Sequence, residues 1–505
     1  ASQLTANTAQ LSGAGQLSAQ VPGATLVAQV QAAPTAGKGD LTLKLSNAEQ
    51  LLQWLRRVPG AANALPPALS AQGSADASVR FNGGYGDALR QLHKAGVLAQ
   101  LPSNISASNA QAFSINASVA TPQLTVRTGT APSEQWQLRD TQLTLNGNLA
   151  QLQADVRANA RQGEQQFTAQ LQATASSNAA QQWKTSITRL QASAQLPPHK
   201  TPWQAALLQP LDVQLTLPQA KQALQISANA SQLQLSGPEA GTATVQWNPL
   251  TLTMAAGNTL QLQSSGNISG LPLRWARAFQ KNNADSEANN DNLLNSDLVL
   301  QGRWDINTLQ GLNAKLHVER ASGDLRLLVH NNLPKNVIVH ANPNSGRLAQ
   351  MATAESEAIT AGIRAADIDV TVQGRQVQAS VRWDTRNAGQ LTAQLQTSLQ
   401  YEGSDFLHAT LPSNAPLAGS IKAQMPSLGI WSNFAPPGWR VAGSLDADVQ
   451  LAGNLQDPRW AGSLKADKMR MQSQLDGVDL RNGSLRARLN SQELTLESLR
   501  FEGGQ

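Results

Sequence analysis

The stretch GSLDADVQLAGNLQDPRWAGSLKA, residues 443–466, reads as a β-hairpin. In an extended chain successive side chains point to opposite faces. Leu445, Ala447, Val449 and Leu451 therefore share one face, and Ser444, Asp446, Asp448 and Gln450 share the other. Asp457 and Pro458 supply a turn, and the phrase G-S-L-x-A then starts again at Gly462. The ribbon is aliphatic on one side and polar on the other. The fold depends on what the aliphatic side faces.

The same period-two alternation runs through the chain. It is plain in Leu211, Val213, Leu215, Leu217 and in Leu224, Ile226, Ala228, Ala230. It returns in Ala366, Ile368, Val370, Val372, in Val377, Ala379, Val381, Trp383, and in Leu391, Ala393, Leu395. Strands with one apolar and one polar face are not the doubly buried strands of a parallel sheet. A repeat overlies the alternation: G-S-aliphatic-x-A begins at Gly419, Gly443, Gly462 and Gly483, 24, 19 and 21 residues apart. About twenty residues accommodate two strands and a turn. Glycine at each start suits unusual backbone angles. The phase slips where Leu464 and Ala466 give way to Met469 and Met471, as at a β-bulge.

Helical pieces are short. Ser46-Asn47-Ala48-Glu49 reads as a capping box opening a helix over about 47–58, with Leu51, Leu52, Leu55 and Val58 on one face. Others are expected at about 87–98, 272–281 and 347–359, with a polar excursion at 281–292. The division expected is a sheet segment over 1–294 carrying the helical insertions and a hairpin-repeat segment over 295–505. About twenty strands at roughly 4.8 Å each would extend about 100 Å, and so wide a sheet must coil, close or fold over. Both ends read as cuts through a longer protein.

Composition narrows the function. Hydrophobic residues make up 41% of the 505, but aromatics only 4% and charged residues only 14%. This is too aliphatic for a disordered chain and poor in the rings that usually fill cores. The absence of Cys excludes disulfides and cysteine-ligated metals. No apolar run reaches the roughly 18 residues of a membrane helix. The formal charge is +5, yet Lys and Arg are scattered singly and there are two Tyr, which argues against nucleic acid.

Catalytic motifs are missing. The histidines His93, His199, His317, His330, His340 and His408 lack companions at ligand spacing, although His330 and His340 could meet across a hairpin. The pairs Asp367/Asp369, Asp446/Asp448 and Glu355/Glu357 could suit a glycosidase or a calcium ion. The strand pairs stand on the polar face among Gln and Thr, where solvated charge is the simpler account. No phosphate loop and no nucleophile elbow occurs. We therefore expect a non-enzyme with no cofactor and no metal.

Three structures could cover the aliphatic face: a second sheet, a solenoid core, or the opposite wall of a trough only partly filled by its own side chains. A trough of Leu, Val, Ile and Ala would suit acyl chains, which need dryness and length rather than hydrogen-bond geometry. Its lining would include Leu215, Ile226, Val370, Val381, Leu391, Leu395, Ile421, Leu445, Val449, Leu451, Leu464, Leu489, Leu494 and Leu496.

Several stretches resemble the TamB family, the inner-membrane-anchored periplasmic components of the translocation and assembly module, which are AsmA-like, bridge-like lipid transfer proteins. They are LVLQGRWD at 298–305, HVERASGDLRL at 317–327, PLAGSIKAQMPSLGIW at 416–431, VAGSLDADVQLAGNLQDPRWAGSLKADKMRM at 441–471 and LDGVDLRNGSLRARLNSQELTLESLRFEGG at 475–504. LSNAEQLLQWLRRVPG at 45–60 and GLPLRWARAF at 270–279 share the style. The resemblance implies an all-β fold, a long continuous U-shaped sheet (β-taco) with a hydrophobic groove, in which 295–505 would be the start of the family's C-terminal region. It implies phospholipid as cargo and a place in the periplasm of a Gram-negative bacterium. A TamA-like outer-membrane barrel protein would be met through a region outside this chain, and an N-terminal helix missing here would tether the protein to the inner membrane. The expected function is a conduit carrying phospholipids between the two membranes, with a role in assembling outer-membrane proteins. The alternative is a chaperone-like scaffold holding nascent outer-membrane β-strands at its sheet edge or groove.

Overall fold

A computed structural model describes residues 2–503 apart from 8–11, 59–64, 67, 96–97, 99, 102–111, 130, 132–133, 149, 180–181, 218–222, 256–258, 280–295, 330–356, 404–405, 430–438, 474–476 and 492. The helix expected at 347–359 and the excursion at 281–292 fall largely or wholly outside the described residues, as do His330 and His340. The chain divides into two units, Ala1–Gly266 and Asn267–Gln505.

In the first unit β1 (Ser2–Asn7), β2 (Ser12–Val21), β3 (Ala24–Ala32) and β4 (Gly37–Leu45) lead into helix α1 (Ala48–Leu55). Strand β5 (Ser70–Asn82) leads into α2 (Tyr85–Lys94). Long strands follow: β6 (Ser114–Arg127), β7 (Gln135–Asn148), β8 (Gln151–Gln162), β9 (Gln165–Ala179) and β10 (Gln182–Gln195). Six short ones come next: β11 (Trp203–Leu207), β12 (Leu211–Thr216), β13 (Leu224–Ala228), β14 (Ser231–Ser236), β15 (Thr242–Trp247) and β16 (Leu250–Ala255). Strand β17 (Thr259–Pro272) is long again; it begins in the first unit, ends in the second and runs there into a 3-10 helix, Leu273–Phe279, where a helix was expected at 272–281.

The second unit holds β18 (Val299–Asn307), β19 (Asn313–Ser322), β20 (Arg326–Val329), β21 (Glu357–Thr360), β22 (Ile363–Gln373) and β23 (Gln376–Thr385). It continues with β24 (Gln390–Ser398), β25 (Ala418–Met425), β26 (Trp439–Gly453), β27 (Pro458–Ser473), β28 (Val478–Ser491) and β29 (Glu493–Gly503). The protein is all-β, a long continuous antiparallel sheet: 27 strands belong to one hydrogen-bonded sheet, and β20–β21 form a separate ribbon.

More strands appear than the twenty or so that alternation suggests, partly because three rows are broken in two. β10 pairs with β11 along one half and β12 along the other; β14 and β13 pair with these, and β15 and β16 with those. The breaks fall at 208–210, 229–230 and 248–249, where Pro210 and Pro249 cannot donate to a ladder. Asn229 bridges its break: its backbone N–H donates to Asp212 O, and its side-chain Oδ1 accepts from Asp212 N. The breaks line up with the register slip of β10 between Ile187 and Arg189. A second line of slips crosses β5 to β8, at Ser74/Asp76 and at Arg139/Gln142, where Asp140 has φ 46°. Bulges bend and twist strands, so aligned bulges crease the sheet across its strands instead of kinking each one separately.

Local signals explain the helix ends. The N-cap of α1 is Asn47, whose Oδ1 accepts from the Gln50 N–H at 3.1 Å, and not Ser46 as the capping-box reading had it. The Ser46 hydroxyl donates to Gly23 O, because the turn at Gly23 abuts the helix start. α1 ends at Leu55 and packs on β5. α2 joins the opposite ends of the strands, and its Asp87 carboxylate accepts the Phe113 N–H at 2.7 Å. The slip expected between Ala466 and Met471 is present, with Lys468 at φ 49° facing Gly443 at φ 119°. The 443–466 turn is pinned by Asn454, whose side chain accepts from the N–H groups of Gln456 and Asp457, while Pro458 opens β27.

Candidate functional site: an open aliphatic face

Within each unit the ladder register lines up aliphatic positions from strand to strand. In the second unit one row runs Trp304, Leu316, Val370, Ala379, Leu395, Gly419, Leu451, Trp460, crossing eight strands from β18 to β27. Beside it run Ile421, Val449, Gly462, Leu489 and Leu494. Val381 pairs with Ala393, Leu391 with Ala423, Leu445 with Ala466, Leu464 with Ala487, and Ala487 with Leu496. Twelve of the fourteen sequence-selected lining residues thus share one face of this unit. The other two, Leu215 and Ile226, sit directly opposite one another in the first unit.

At several cross-strand pairs a large residue faces a small one, as in interdigitating layers. Yet the face is not sealed. Among the described residues 17 hydrophobic side chains are buried, and ten of these are alanine. Val449 and Leu451 are buried; Leu215, Ile226, Val370, Val381, Leu391, Leu395, Ile421, Leu445, Leu464 and Leu489 are partly exposed. Leu494 and Leu496 are 59% and 50% exposed, and Leu316 and Ile368 on the same face are 45% and 44% exposed. Exposed aliphatic side chains repeated along one face, not scattered singly, mark a surface that receives something apolar.

Sequence reading left out most of the first unit's share. There Leu17, Ala28, Leu41, Val79, Ala117, Leu145, Ala154, Ala173, Ile187 and Leu211 form one register row. A parallel row holds Leu43, Val119, Leu143, Val156 and Leu171. The signal was the same alternation, interrupted by glycine and by bulge slips that disguise its phase. α2 lies at one rim of this face: the Trp183 indole N–H donates to the buried Ala95 carbonyl at 3.1 Å.

The opposite face carries the charges. Arg80 pairs with Asp40 at 2.7 Å and Arg382 with Asp367 at 2.8 Å. Lys422 reaches Asp448 at 3.6 Å. Asp367 and Asp448, one member of each acid pair on the strands, are therefore held in cross-strand ion pairs. Asp369 accepts from His317 at 2.6 Å, and Glu319 lies 3.5 Å from the same ring. The Asp369 bond raises the His317 pKa above 6.5, partial burial opposes it, and Glu319 adds to the rise. Among the described residues no three His, Asp or Glu groups converge on a metal site. A hollow of about 890 Å³ in the first unit is lined by Gln16, Gln29, Asp40, Arg80 and Asn116 among others. It is half polar and belongs to this wet side.

No helix among the described residues is long and apolar enough to cross a membrane. No curated protein and no solved structure matches the chain. Residues 318–466, which carry the central rows of the aliphatic face from β19 to β27, match the family model of the TamB N-terminal domain. Over that stretch the chain is similar to the TamB family.

Proposed function

We propose that this chain acts as TamB-like proteins are expected to, as a non-enzymatic conduit in the Gram-negative envelope for phospholipids between the inner and outer membranes, contributing to outer-membrane biogenesis. The single observation behind the reading is the aliphatic face that strand after strand presents within each unit, left half-open. Acyl chains would lie along it, shedding water at about 25 cal/mol for each Å² of apolar surface covered. Because the lining offers no fixed polar recognition points, chains could move along it without breaking hydrogen bonds. Contact with a TamA-like barrel protein and tethering to the inner membrane are expectations taken from the family.

Mass spectrometry of the natively purified chain tests the reading. Co-purifying phospholipid is expected, and Leu316→Glu with Ile368→Glu should lower its amount several-fold. Both sites are well exposed, so stability should change by no more than about 1 kcal/mol. A lipid-free wild-type protein would sink the conduit. Crosslinks to outer-membrane client strands confined to a sheet edge would instead favour the scaffold, which holds clients by main-chain pairing.

A further inference from the structure

One rim of the first unit combines four side chains of complementary chemistry. Trp136 is the second residue of β7, on the aliphatic side of the sheet. It is 39% exposed, and its ring lies 5.8 Å from that of Phe167, near the start of β9. Its ladder partners are Val126 and Gln162. Each partner is adjacent to an arginine: Arg127 ends β6 and Arg161 nearly ends β8. Both arginines stand on the polar face at the strand ends, and both are exposed. Arg127 bonds to Gln135 and Arg161 to Gly163 O, and among the described residues neither makes an ion pair. That sets them apart from Arg80, Arg157 and Lys184, which pair with Asp40, Asp155 and Asp212. Glu134 and Glu164 lie outside the strands, and Glu134 is turned back on the Ala131 N–H.

Amphipathic rings settle where hydrocarbon meets water, with the polar edge outward. Long arginine side chains lay their stems on apolar surface and carry the guanidinium to the wet side. A guanidinium without a carboxylate partner is suited to a phosphate, which it can bind through two parallel hydrogen bonds. Seven residues further along β7, Leu143 lies on the aliphatic floor, roughly 23 Å away at strand rise. That is the reach of a long acyl chain.

We infer that Trp136, Phe167, Arg127 and Arg161 form a headgroup station. The rings hold the glycerol level of a diacyl phospholipid at the rim, the guanidinium groups bind its phosphodiester over the lip, and its chains lie on the floor toward Leu143. The inference rests on the lipid reading above, adding where the headgroup sits.

The chain contains no cysteine, so single labels are clean. Gln162→Cys and Leu143→Cys in the full chain would each carry a fluorophore. Each would be loaded from vesicles of phosphatidylcholine bearing a nitroxide on the headgroup or at mid-chain. Headgroup nitroxide should quench the label at 162 more than that at 143, and mid-chain nitroxide the reverse. Equal or inverted quenching, with lipid bound by mass, overturns the station and leaves the conduit standing. A protein that binds no lipid overturns both. In a competition against diacylglycerol of the same chains, wild type should prefer the phospholipid. Arg127→Gln with Arg161→Gln should reduce that preference about five-fold, as expected for exposed charge pairs. An unchanged ratio would overturn the role of the guanidinium groups.

Discussion

Two regions of the second unit are built from the same residue types and end differently. At the strand ends where β18, β19, β22 and β23 meet, Leu298, Leu325, Ala361, Ile363 and Ala388 form a closed cluster. Leu273, Leu300, Ala366 and Trp383 pack round it. Asp324 locks the connections, accepting N–H bonds from Leu325, Gly362 and Ile363. In β28 and β29, by contrast, Leu485, Ala487 and Leu489 face Leu499, Leu496 and Leu494, and the last three are at least half exposed. Burial in the cluster comes from loops that fold over the strand ends. Among the described residues the leucines of β29 have no such cover. The open face is a consequence of topology, since antiparallel neighbours supply hydrogen bonds at their edges and nothing above them.

The contrast can be broken most directly at its closed end. Ile363→Ala should cost about 3 kcal/mol, the usual range for a large-to-small change in a filled core, read as a lowered denaturation midpoint. Bound lipid per folded molecule should stay unchanged. A loss near zero would show that the cluster is as loose as the open face. Along the open face a gradient is expected. Leu451→Ala, at a buried position, should cost about 2 kcal/mol, while Leu496→Ala should cost under about 0.5 kcal/mol yet reduce lipid occupancy. Equal costs for the two, by the same denaturation measurement, would mean that exposure along the face does not grade its stability.

The smallest effect belongs to the polar side. His317 titrates above 6.5 in the fold because Asp369 accepts its ring N–H. Its stabilising contribution is complete below about pH 6.5 and fades as the pH rises through the folded pKa. His317→Gln should therefore lower stability at pH 6 more than at pH 8, followed by thermal unfolding at both. Equal losses would show that the ring acts through packing alone.

Much of this was legible in the residues. Leu445, Ala447, Val449 and Leu451 gave the strand, its two faces and the repeat, and Met469 marked the bulge. The cap at Asn47 instead of Ser46 was hidden, because the choice depends on the Gly23 turn packed beside it. The breaks at Pro210 and Pro249 were visible as punctuation, but their alignment across strands exists only once register is known. Openness was the least legible. Val449 and Leu496 occupy equivalent alternating positions, and the first is buried and the second half exposed only because of their neighbours.

The ladder register carries a last consequence. Nearly every strand touches only the strands beside it, so stability accumulates pair by pair, as in linear repeat proteins. A hairpin such as β26–β27 is thus a removable length: cutting or duplicating one would change the sheet by about 10 Å and leave distant pairings intact. Such a chain measures its span in hairpins.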